Sequence, residues 1–133
     1  MDPLLPGAEA AALWSGLLLI VLLVLSALVV RQRRRHRVAV GDAGVPELVA
    51  ARRAFGNASE YAPAGLAALA VLAAVGAPAA LVHVVGGVLF AGRVAHGIGM
   101  SLTAGPSLGR TVGMLMTWVA WLISAVCLLV YAL

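Results

Sequence analysis

Arg53, Asn57 and Glu60 are separated by four and then three residues, the offsets that stack side chains on one face of an α-helix. The set offers a guanidinium that clamps carboxylates through paired hydrogen bonds, an amide that donates and accepts, and a carboxylate that takes cations or N–H groups. Tyr61 adjoins it, and Arg93, His96 and Arg110 add further cations and a titratable ring downstream. An ionisable side chain inside a membrane span is costly, so it faces a bundle interior and marks a site.

The surrounding chain is built for lipid. Of 133 residues, 63% are hydrophobic and 11% charged, against about a quarter charged in soluble domains. Mean hydropathy is +1.07. Such a chain cannot cover itself with polar surface, so the bilayer is its solvent. All nine basic residues are arginine, which with the abundance of Ala, Gly and Val suggests a GC-rich bacterial genome and an inner-membrane location. The net charge of +4 sits in connecting segments without interleaved aromatics, so no nucleic-acid partner is expected. Cys127 is the single cysteine, which excludes an intramolecular disulfide or a thiolate metal cluster. It reads as a packing residue, and no metal is expected.

These features predict one all-α domain over residues 1–133, an integral-membrane four-helix bundle. Met1–Glu9 carries Asp2 and Glu9 but no basic residue. The apolar run Ala10–Val30 is longer than the ~7–15 residues of a signal h-region, so it reads as a first span over 10–30. Arg31–Val45 reads as a basic, then Gly/Asp-rich loop. Pro46 and Glu47 form a helix start, and the second span covers 46–75 with a kink expected at Pro63. Gly76 and Pro78 mark a turn, the third span covers 79–99, and the fourth covers 110–131. Trp14, Trp118, Trp121 and Tyr131 fit interfacial or lipid-facing positions. Gly86, Gly87, Ala91 and Gly92 permit close helix approach. His83 receives no role.

Seven arginines lie in or beside the first loop, and Arg93 and Arg110 flank the third. The positive-inside rule puts those loops in the cytoplasm and both termini in the periplasm. With ~1.5 Å rise per residue, Glu60 and Arg93 fall roughly 6–8 Å inside the inner boundary. Asn57, His96, Arg53 and Arg110 fall near the boundary itself. The expectation is a polar site facing the cytoplasm, with Glu60 and Arg93 as ion partners, since neither is affordable there alone.

The segment Arg53-Ala54-Phe55-Gly56-Asn57-Ala58-Ser59-Glu60-Tyr61-Ala62-Pro63 resembles the second-helix signature of the MAPEG family, membrane-associated proteins in eicosanoid and glutathione metabolism. Gly92-Arg93-Val94-Ala95-His96 resembles its third-helix motif, and Gly109-Arg110-Thr111-Val112-Gly113-Met114 the start of its fourth helix. Arg31–Arg37 and Val40-Gly41-Asp42 look like the basic first loop of bacterial members. The resemblance implies a homotrimer holding glutathione, as co-substrate, between protomers. Arg31, Arg53, Asn57, Glu60, Tyr61, Arg93 and His96 would bind the tripeptide. Arg110, by motif position, would be the catalytic arginine that stabilises the thiolate. A lipophilic electrophile or lipid hydroperoxide would arrive from the membrane.

Two positions depart from the pattern. Phe55 stands where many relatives carry a polar His or Gln, and Met100 replaces a tyrosine of the eicosanoid-pathway enzymes. Both argue against leukotriene or prostaglandin synthesis. They keep open an alternative: a non-catalytic membrane scaffold or binding protein retaining the MAPEG fold.

Overall fold

A computed structural model describes residues 5–133. Asp2, part of the acidic leader noted above, lies outside the described residues. Four helices run in chain order: α1 Leu5–His36, α2 Pro46–Ala74, α3 Ala79–Leu102 and α4 Leu108–Ala132. The chain is an all-α membrane bundle. Three of the helices, α1, α3 and α4, are each long and apolar enough to cross a membrane. The fourth, α2, owes its lower hydropathy to the polar stripe, yet its 29 residues measure about 43 Å at the helical rise. It packs along α1 and α3 and also touches α4.

The first helix is longer than expected. It runs through the arginine cluster to His36, because arginine is a good helix former and no Gly or Pro intervenes. It ends where Arg37 takes φ 56°. The Val38 N–H donates to the Arg33 carbonyl at 3.0 Å and the Arg37 N–H to the Arg34 carbonyl at 3.4 Å, a Schellman closure with arginine in the usual glycine position. A second closure ends α2. Gly76 sits at φ 78°, and the Ala77 N–H reaches the Leu72 carbonyl at 3.0 Å. The α-helix continues unbroken through Pro63.

Packing is tightest between α3 and α4, where glycines replace side chains at the crossing. A Cβ on Gly92 would lie 2.9 Å from the Gly113 carbonyl oxygen, and one on Gly109 would lie 3.0 Å from that of Ala95. Elsewhere Trp14 fills the space above Gly86, and the Leu89 side chain that above Gly65. The helix-approach residues thus serve contacts within the chain at Gly86 and Gly92, while Ala91 is exposed. Trp14 turns inward from its expected lipid-facing place. Its indole N–H donates to His83 Nδ1 at 3.1 Å, which gives His83 a structural contact. Trp118 and Tyr131 are exposed, as lipid-facing residues should be, and Cys127 packs half-buried against the core.

Candidate functional site

The polar stripe of α2 divides in two. At 100° per residue, Arg53 and Glu60 lie close together on one edge, while Asn57 and Tyr61 lie toward the other. Arg53 and Glu60 are exposed; Asn57 and Tyr61 are half-buried.

The inner half meets Arg93, which is 1% exposed. Arg93 Nη1 donates to Asn57 Oδ1 at 2.9 Å, and Nε donates to Thr117 Oγ1 at 2.9 Å. The Thr117 hydroxyl in turn donates to the Gly113 carbonyl at 2.9 Å. Arg93 Cζ lies 5.4 Å from the centre of the Tyr61 ring, within cation–π range. Tyr61 stacks on Trp121, with ring centres 5.3 Å apart and planes 17° from parallel. This interior cluster joins α2, α3 and α4 around one cation.

The expected Glu60–Arg93 ion pair is therefore absent. Glu60 faces outward, and the ion pair found among the described residues joins Arg52 to Asp42 at 2.8 Å. The physical reason is rotation: on α2, Glu60 and Tyr61 point 100° apart, and the residues turned toward α3 are Asn57 and Tyr61. Sequence reasoning also missed Thr117 and placed Trp121 with the lipid-facing aromatics. A hydroxyl one turn beyond Gly113 in an apolar span was the available signal.

A second grouping lies at the end of the bundle where α2 and α4 begin and α3 ends. Arg53 and Arg110 line a cleft of about 160 Å³ together with Pro46, Val49, Met100 and Thr103. Ser107 accepts from the Arg110 N–H at 3.4 Å and so caps α4. The Arg110 guanidinium donates to the Gly105 carbonyl at 2.5 Å, which orients it without neutralising it. His96 is buried, 6% exposed, with its backbone against Gly113. Arg31 is exposed at the same end of the bundle and lines neither the cleft nor the interior cluster. The structure thus brings together Arg53 with Arg110, and Asn57 with Tyr61 and Arg93; Arg31 and Glu60 join neither group within one chain.

Comparison with known proteins accords with this architecture. The MAPEG family model matches residues 11–130. Inner membrane protein YecN of Escherichia coli strain K12 is 38% identical over 121 residues, which is 91% of this chain and 91% of that protein. The protein of the same name in Escherichia coli O6:H1 matches to the same extent. No solved structure matches significantly. The chain belongs to the MAPEG family.

Proposed function

We propose that this MAPEG-family membrane protein is a glutathione transferase-like enzyme of the bacterial inner membrane. It binds glutathione at the arginine-rich end of the bundle and delivers the thiolate to a lipophilic electrophile, or reduces a lipid hydroperoxide. The observation that carries the reading is the convergence of Arg53 and Arg110 on one cleft. Glutathione presents two carboxylates, an ammonium and a thiol. A guanidinium clamps a carboxylate in two parallel hydrogen bonds, and a second one beside sulfur favours the thiolate, the reactive nucleophile. Arg110 takes the latter role. In conjugation, sulfur bonds to the electrophilic carbon as the leaving group departs. Holding both reactants at the membrane interface removes the entropic cost of their encounter.

The reading includes a homotrimer. Glu60 is exposed halfway along α2, and an unpaired carboxylate facing lipid is costly. A neighbouring copy covers it, bringing Arg31 of one chain toward Arg53, Asn57 and Tyr61 of the next. Interior Arg93 and buried His96 then support the ligand-facing residues and form the floor beneath them. The YecN proteins are named for the inner membrane, and the arginine-rich end faces the cytoplasm by the positive-inside rule, leaving both termini periplasmic.

Calorimetry with glutathione on the purified protein, with thiolate absorbance near neutral pH, tests the binding step. The wild type gives heat and a thiolate band. Arg110→Ala keeps binding but loses the band, and its conjugation rate with an aryl halide falls about a hundredfold, the scale for losing one preorganised charge-stabilising donor. Unchanged turnover in that variant removes Arg110 from the mechanism. The second reading, a non-catalytic scaffold, draws on Met100 in the cleft wall and half-buried Phe55, apolar where the eicosanoid-pathway enzymes carry tyrosine and many members of the family a His or Gln. Absence of heat at millimolar glutathione selects it.

A further inference from the structure

The outer face of α1 changes its chemistry without changing direction. That helix packs on α2 and α3 alone, and its free side is a continuous stripe of Ile20, Leu23, Val24, Ala27 and Val30, all exposed. Because α1 stays helical to His36, the stripe runs straight on into Arg31, Arg34 and Arg35, which are exposed as well. At about 100° per residue, these three arginines point within about 60° of the direction of Ile20, whereas Arg33 points roughly 140° away from it.

Depth matches direction. Val30 closes the apolar run, and Arg34 and Arg35 lie about 6 and 7.5 Å beyond it at the helical rise. The headgroup layer on one side of a bilayer is ~5–7 Å thick, so both guanidiniums sit level with the phosphates of a lipid whose chains lie on the stripe. Their neighbours are occupied elsewhere. Arg33 Nη1 donates to the carbonyls of Val38 and Ala39 at 3.4 and 3.2 Å, and Arg52 pairs with Asp42. Among the described residues neither Arg34 nor Arg35 has a carboxylate partner. Arg31 also forms like-charge pairs with both, three and four residues on, which oppose helix formation; an anion held among them relieves that repulsion.

We infer that Arg34 and Arg35 hold the phosphodiester of an anionic phospholipid whose acyl chains lie along the stripe from Ile20 to Val30. A guanidinium matches phosphate through paired hydrogen bonds. A zwitterionic phospholipid carries the same phosphate, but the surrounding arginines repel its ammonium, so a neutral glycerol head group behind the phosphate is preferred. Arg31, one turn nearer the acyl stripe, is left to the neighbouring copy of the trimer reading. The lipid site requires neither that contact nor glutathione.

Native mass spectrometry of the full-length protein in detergent tests it, with phosphatidylglycerol and phosphatidylethanolamine of the same chain length titrated separately. The wild type binds its first phosphatidylglycerol about twentyfold more tightly than its first phosphatidylethanolamine. Arg34→Gln and Arg35→Gln each weaken phosphatidylglycerol about fivefold, the scale for one basic residue near a membrane surface, and the double variant binds the two lipids alike. Arg33→Gln removes the same charge from the opposite face, keeps an amide to donate to the loop carbonyls, and leaves phosphatidylglycerol affinity unchanged. Equal losses in Arg33→Gln and Arg34→Gln overturn the inference, because net charge alone then accounts for the attraction. So does equal affinity of the wild type for the two lipids. Every titration runs without glutathione, so failure here is distinguishable from failure of the transferase reading.

Discussion

At the scale of single residues, the interior is held by a cation whose partners are all uncharged. Asn57, Thr117 and the face of Tyr61 surround Arg93, an arrangement that suits a delocalised, weakly hydrated guanidinium better than an ammonium. Thr117→Val keeps shape while removing the Nε acceptor. It is expected to cost about 1–3 kcal/mol, the penalty for an unsatisfied buried donor, read as a lower thermal midpoint in detergent. Asn57→Leu should cost a similar amount by stripping Nη1. In the pair Asn57→Leu/Arg93→Met no buried polar group is stranded between α2 and α3, so the double variant should lose less stability than the two single changes sum to. Additive losses would show that the two side chains do not interact. That α2 carries a polar stripe was legible from its spacing, but the pairing within it was not. Charge complementarity favours Glu60 as the partner of Arg93, whereas rotation about the helix axis turns Asn57 inward. Spacing fixes relative angles on one helix and says nothing about which edge meets a neighbour.

At the scale of elements, the starts of α2 and α3 were legible because Pro46, Gly76 and Pro78 interrupt the backbone by their own chemistry. The end of α1 was not. The change from apolar residues to arginines marks where lipid gives way to water, and the helix ignores that boundary until Arg37 adopts φ 56°. Arg37→Gly removes a Cβ from a left-handed position and should stabilise the closure by somewhat under about 1 kcal/mol, seen as slower amide exchange at Val38. The α3–α4 contact responds in the opposite sense. A Cβ on Gly113 would approach the His96 backbone nitrogen to 2.6 Å, so Gly113→Leu must push the helices apart. Because Gly113 also supplies the carbonyl that orients Thr117, the loss should reach the upper end of the ~1–3 kcal/mol typical of overpacking. Gly105→Leu, in the loop with open space around it, is the control expected to leave stability unchanged.

At the scale of the whole molecule, the four helices satisfy most of their internal contacts yet leave a charged edge on α2. Leu23 and Leu122, 68% and 66% exposed, are at home against acyl chains; Glu60 is not. An acidic side chain at the centre of a span costs roughly 2.5–3.5 kcal/mol, and Glu60, about 6–8 Å inside the inner boundary by the helical rise, would bear part of that cost in a lone chain. Covering that edge with another copy relieves the cost in every protomer at once, which is why association and ligand binding are coupled in the proposed trimer. In a Cys127→Ser background, Glu60→Cys should therefore react with a lipid-soluble maleimide several-fold more slowly than Leu23→Cys. The difference should vanish once dodecyl sulfate separates the chains, and light scattering on the same samples reports the copy number. Equal labelling of the two positions before dissociation would mean that no copy covers α2, and the reading of Arg31 and Glu60 as ligands shared between protomers would go with it.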